Sequence, residues 1–192
     1  AWVAPAAYFF SVVAAGLVLC ACVMLLAFGW LAVSGSWCLS VADVFAVIGT
    51  TVLSVVSSAA LLVFVVGFVK SEGAFTGINV ILGTVVGFLI GAYMPLSMFP
   101  EGVQYFTAFI PGSHSAGLFR NFIMGGALEQ IEALSSPEFA AGLSDEFSFR
   151  LNFFGHGVSP SVMAIVVVGA AVVFVCLTLL VRFLSARSKK RT

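Results

Sequence analysis

The sequence predicts an all-α integral membrane protein with four transmembrane helices and a re-entrant short-helix hairpin before the last of them. Three observations carry this. Hydrophobic residues fill 61% of the 192 positions and charged residues 8%, against about 45–50% and about 25% in soluble domains. Charge-free stretches cover 1–42, 44–69, 73–100, 102–119 and 151–181. A charge at mid-bilayer costs about 2.5–3.5 kcal/mol on insertion scales, so runs of this length mark a membrane. A hydrocarbon core about 30 Å thick takes roughly 20 apolar residues in a helix, and four of the five stretches reach that length.

The same numbers exclude other classes. Eight basic and eight acidic groups give no net charge, which argues against nucleic acid as partner, since phosphate binding needs clustered Lys and Arg on a surface. Disorder needs a more polar chain. The whole of 1–192 is read as a single transmembrane domain in a cell membrane (plasma or inner), with the lipid bilayer as its first partner.

The first span covers 7–33, after Pro5. No basic region precedes it, unlike a secretory signal, and a start at Ala1 rather than Met points to a fragment or a processed product. Residues 34–40 turn the chain. Ser40 and Asp43 have the spacing of a capping box, which starts the second span at 43. That span runs to 69 and stops at Lys70-Ser71-Glu72-Gly73. The third span, 76–99, ends at Pro95 and Pro100, which interrupt a helical ladder. The last span is 161–184. Ser159 and Pro160 suit its N-cap and first helical positions, and Arg182 and the run Arg187-Ser188-Lys189-Lys190-Arg191 close it.

Residues 101–126 are different. Pro111-Gly112 divides them into Gly102–Ile110 and Ser113–Met124, neither long enough to span. They read as two short helices that dip into the membrane and return, with a single broken span as the alternative. Backbone of this kind survives at depth only when buried in protein or lining a wet cavity. Five of the eight basic residues lie at or beyond Arg182, which places the C-terminus in the cytoplasm. Four spans then put Lys70 on the same side and 127–160 outside. That outer segment carries Glu129, Glu132, Glu138, Asp145 and Glu146 against Arg150. Ser136-Pro137-Glu138 is a helix start, with a cap, a proline and an acid near the positive dipole end. Ser144-Asp145-Glu146 repeats the theme, so one or two short helices are expected, broken at Gly142. Phe147, Phe149, Phe153 and Phe154 are expected at the lipid–water boundary.

The chemistry-bearing residues are sparse. There is no G-x-x-x-x-G-K-[ST] loop. His114 and His156 are too few ligands for zinc, and Cys20, Cys22, Cys38 and Cys176 imply no disulfide framework. Ser113 and Ser115 flank His114 without the G-x-S-x-G frame of a nucleophile elbow. A membrane hydrolase using them is one reading, and a polar turn capping the second short helix is the simpler one. Glu101 and Arg120 bracket the broken segment, where they would either pair and hold a hairpin or anchor it at the interface. Gly83, Gly87 and Gly91 recur every four positions and form a stripe for close helix approach, either between subunits or within one. Thr50, Ser54, Ser57 and Ser58 form a hydroxyl face that either lines a polar pathway or bonds back to its own helix.

Three pieces in order carry a resemblance. They are Gly83-Thr-Val-Val-Gly87-Phe-Leu-Ile-Gly91-Ala-Tyr-Met-Pro95, then Met98-Phe-Pro100-Glu101-Gly102-Val103-Gln104, then Ile110-Pro111 with Leu118-Phe119-Arg120. Together, over about 76–126, they resemble the C-terminal half of a type-2 ABC exporter permease. The resemblance implies a non-enzymatic transport subunit that dimerises with a second permease subunit, identical or not. It also implies a separate nucleotide-binding subunit that holds the ATP and Mg, with no cofactor on this chain. Gly83, Gly87 and Gly91 would face a helix neighbour near the central pathway, and Pro95, Pro100, Glu101, Pro111 and Arg120 would belong to the outer gate. The family has six spans, so two N-terminal spans would be missing here. A scaffold subunit that packs by its glycine stripe and transports nothing is the competing reading.

Overall fold

The computed structural model describes residues 3–69, 71–94, 96–147, 152–153 and 156–188. Among the described residues the chain forms seven α-helices: α1 (Val3–Val33), α2 (Val41–Val66), α3 (Glu72–Leu89), α4 (Glu101–Thr107), α5 (Pro111–Leu134), α6 (Pro137–Glu146) and α7 (Pro160–Ser188). A 3-10 turn occupies Leu96–Met98, and an antiparallel two-residue ladder, Asn152–Phe153 with His156–Gly157, lies between α6 and α7. The all-α class holds. Four helices are long and apolar enough to cross a membrane: Ala6–Val33, Val41–Val66, Glu72–Leu89 and Pro160–Val181.

Local chemistry explains most boundaries. Ser40 and Asp43 make the reciprocal capping box at the start of α2, with Asp43 N–H donating to Ser40 Oγ at 3.2 Å and Ser40 N–H to Asp43 Oδ2 at 3.0 Å. Ser71 caps α3 and Ser136 caps α6. Pro111 opens α5 and Pro160 opens α7, where a missing N–H costs nothing. Pro5 falls within the first turn of α1, which therefore begins earlier than position 7.

Three expectations need correction. The third span does not reach 99: α3 begins at Glu72 and stops at Leu89. Gly91 ends it, at φ +73°. Ala92 N–H reaches back to Gly87 O at 3.1 Å and Gly91 N–H to Phe88 O at 3.0 Å. This is the Schellman pattern, which the left-handed Gly91 makes possible. Hydropathy continues past it, but the hydrogen-bond ladder does not. The second arm of the broken segment is not short either. α5 continues past Met124 to Leu134, so the segment assigned from 127 onward begins inside a helix. Finally, α6 passes through Gly142 without breaking, and Ser144-Asp145-Glu146 is its last turn rather than a new start. An isolated helical glycine costs only about 1 kcal/mol.

The core is α2, α5 and α7 packed on one another, with α1 laid against α2. Val47, Ala59, Ala60 and Val63 of α2 are buried, as are Met163, Val167 and Ala171 of α7. Phe174 of α7 meets Phe64 near the end of α2, with ring centroids 5.8 Å apart. Met163 sits earlier on α7, in a cluster with Leu96 and Leu118. α5 comes up against the α1–α2 loop, where Cys38 Sγ lies 3.6 Å from Gln130 Oε1. α1 is apolar on all sides and exposes Phe10, Leu19, Leu25, Leu26 and Trp30. Such a helix needs lipid as its solvent.

α3 stands apart. None of its residues is buried. At 1.5 Å per residue its 18 residues extend about 27 Å, just enough to cross.

Candidate functional site: the junction of α3 and α5

A helix leaves its last carbonyls without intrahelical partners. At the end of α3 the Schellman bonds take up Gly87 O and Phe88 O, and Ile90 N–H takes Val86 O at 2.9 Å. The next three carbonyls in the chain are answered from α5. Ser113 Oγ donates to Leu89 O at 3.3 Å. Arg120 Nη2 donates to Ile90 O at 3.2 Å and to Gly91 O at 2.7 Å. Ser113 and Arg120 are seven residues apart, two turns along one face of α5. A positive guanidinium at a helix C-terminus also complements the negative end of the dipole.

The approach is close because glycines permit it. A Cβ at Gly112 would stand 3.0 Å from Ile90 Cγ2, and one at Gly91 would stand 2.9 Å from both Arg120 Nη2 and Leu96 Cγ. Leu96 is itself buried in the cluster with Leu118 and Met163, and Phe99 packs on that cluster. Thus the chain leaves the cluster at Phe99 and rejoins it at Leu118. Between those points lie α4, the turn at 108–110 and the first turns of α5.

The turn is lined with polar side chains that bond to nearby backbone carbonyls. His114 is buried, and its Nε2–H donates to Ala108 O at 2.7 Å. Its Nδ1 is buried without a partner. Ser115 Oγ donates to Pro111 O at 3.3 Å and Thr107 Oγ1 to Gln104 O at 2.7 Å. Gln104 Nε2 donates to Phe99 O at 2.7 Å, which ties α4 to the residue before it. Neither Ser113 nor Ser115 donates to His114, so these three side chains form no nucleophile–base pair here.

The expected site residues fall as follows. Arg120 does not pair with Glu101. Its guanidinium turns to the α3 carbonyls, while Glu101 opens α4 with its side chain exposed. Pro100 is the N-cap of α4 and Pro111 the first residue of α5. Pro95 lies outside the described residues, as do Lys70, Phe149 and Phe154. The glycine stripe is not a single helical face: Gly91 lies beyond α3, and the space over Gly83 is open. Gly87 faces Tyr93 instead of another helix, and a Cβ there would stand 2.6 Å from Tyr93 Cε2. Tyr93 folds back over the helix end and packs on Phe88, with centroids 4.9 Å apart.

The hydroxyls of α2 divide. Thr50 and Ser57 are buried, while Ser54 and Ser58 face α1 along a groove of about 330 Å³ that also meets Gly16 and Cys20. Ser54 Oγ bonds back to Thr50 O at 2.7 Å. The residues missed from sequence are Leu89, Ile90 and Gly112, which enter through their backbone or through a missing side chain. The seven-residue spacing of Ser113 and Arg120 was the one signal available for the pair.

No family model, curated protein or solved structure matches the chain. Helix length and composition define the class: a multi-pass, all-α membrane protein.

Proposed function

We propose that this chain is a permease subunit of an ATP-driven ABC exporter. It forms part of a substrate pathway and its outer gate, while a separate subunit hydrolyses ATP. The observation that carries the reading is the excursion between Phe99 and Leu118, which starts and ends on the same buried cluster. A segment that returns to its point of departure fits a re-entrant hairpin better than a crossing. In this reading Pro100 and Pro111 end the ladder on either arm, Glu101 faces the outer water, and Arg120 fixes the hairpin to the span before it. The order of the glycines, prolines and Arg120 along 76–126 supports the same assignment. The C-terminal basic run faces the cytoplasm, where the ATPase would bind.

The test is purification of the full-length product from its native membrane in mild detergent. A Walker-type ATPase is expected to accompany it, and the ATPase activity of the pair is expected to respond to the exported molecule. Recovery of the intact chain without any ATPase, across detergents that preserve other membrane complexes, refutes the proposal. Cysteine labelling at positions 100 and 127 checks the hairpin separately: both are expected to react from the same side.

A further inference from the structure

α3, like α1, has no buried residue among those described, yet its C-terminal end is closely bonded. Its attachments lie at its two ends. At one end α2 stops at Gly67–Val69 and Ser71 caps α3, beside an open cleft of about 410 Å³ lined by Phe64, Phe68, Val69, Ser71, Ala74 and Ile78. At the other, Ser113 and Arg120 hold the carbonyls of Leu89, Ile90 and Gly91. A helix fixed by packing is released only by exposing its buried face. A helix fixed by three side-chain hydrogen bonds is released by exchanging them.

We propose that α3 is a pivoting arm, hinged at Gly67–Val69 where α2 ends and latched to α5 by Arg120. Three features make the latch reversible. Its acceptors are the terminal carbonyls of a helix just long enough to span, so on release they meet interfacial water and remain satisfied. The guanidinium has its own cost in the latched position, because Nη1 is buried there without a partner. Release hydrates that group and offsets part of the lost bonding. The cleft at the hinge leaves room for α3 to tilt without displacing packed side chains. Ser113 adds one weaker bond on the same face, so Arg120 is the positioning residue and Ser113 its assistant. This inference does not depend on the exporter assignment: a scaffold or any other membrane protein with this junction would have the same arm.

Pulsed electron–electron resonance on the full chain tests it. The four native cysteines are replaced by alanine, and spin labels are placed at exposed Val85 on α3 and exposed Val172 on α7. A control pair joins exposed Val52 on α2 to Val172. With Arg120 present, one Val85–Val172 distance is expected to dominate, with a released state of about 0.1–10%. Loss of a charge-assisted bond shifts such an equilibrium about 10- to 100-fold. Arg120→Ala is therefore expected to make a second Val85–Val172 distance prominent while the Val52–Val172 distance stays fixed. Arg120→Lys, which keeps a cation within reach of the carbonyls, is expected to restore much of the first distance. An unchanged Val85–Val172 distribution in Arg120→Ala overturns the latch. So does equal broadening of both pairs, which would make Arg120 a prop for the whole bundle. If Arg120→Ala does not fold, Arg120→Gln is read by the same two criteria.

Discussion

The contact of α5 with the α1–α2 loop permits a sharp test of the helical core. Gly126 of α5 lies directly over the carbonyl of Cys38, and an added Cβ would overlap that oxygen. The obstacle is backbone, so no rotamer change relieves it. Nor does the loop yield readily. Leu39 is buried, Trp37 Nε1–H donates to Leu39 O at 3.0 Å, and the capping box fixes Ser40. Gly126→Ala must therefore push α5 away from α2, at the usual overpacking cost of about 1–3 kcal/mol. The neighbouring Gly125 has open space at the same position. Both substitutions share the helix-propensity gain of alanine over glycine, about 0.5–1 kcal/mol, so that term cancels between them. The difference in stability is the clash alone. At about 2–4 °C per kcal/mol for a chain of this size, Gly126→Ala should melt roughly 2–12 °C below Gly125→Ala. Thermal unfolding of the two purified variants in the same detergent measures this. With the other three cysteines removed, Cys38 should also react faster with a maleimide in Gly126→Ala. Equal midpoints would mean that α5 does not rest on the loop, and the three-helix core would have to be redrawn.

Three further outcomes are expected. Gly91→Ala places a side chain at φ +73° and within 2.9 Å of Arg120 and Leu96. It should cost at least about 1–2 kcal/mol of stability from the left-handed backbone alone; a variant as stable as the parent would show that the helix end is not held as described. Gly87→Leu should displace the Tyr93 ring from Phe88, since Tyr93 occupies the space over Gly87. A change in Tyr93 accessibility to aqueous quenchers reads this, and assembly with any partner helix should be unaffected. Ser40→Ala removes the side-chain acceptor for Asp43 N–H, leaves the backbone donor to Asp43 Oδ2 in place, and should lower stability by about 0.5–2 kcal/mol; a loss below measurement error would show that α2 starts without that cap.

Much of this protein was legible from residue types alone. The capping signals at Ser40, Ser136 and Pro160 marked where helices begin, because a cap acts over three or four neighbouring residues. Pro111-Gly112 marked a break, but α5 opens at Pro111 itself with Ile110 as N-cap, so Ser113, His114 and Ser115 lie inside its first turns instead of forming a turn and cap before it. The end of α3 was misread for the opposite reason. Leu89, Ile90, Gly91 and Ala92 look alike to a hydropathy scale, and only a backbone angle at Gly91 separates helix from turn. Opposite charges bracketing a segment left two readings for Arg120, pairing with Glu101 or anchoring at the interface. Its acceptors are instead carbonyls, which every residue carries and no sequence pattern reveals.

Class and spanning helices follow from the chain itself, since lipid demands long apolar runs with internally bonded backbone, and both demands are met locally. What the tertiary structure alone decided is which helices bury one another and how the end of α3 is held. Those outcomes depend on groups some thirty positions apart in sequence, Arg120 with Ile90 and Gly91, coming within a few ångströms. Proximity of that kind arises only once α2, α5 and α7 have packed.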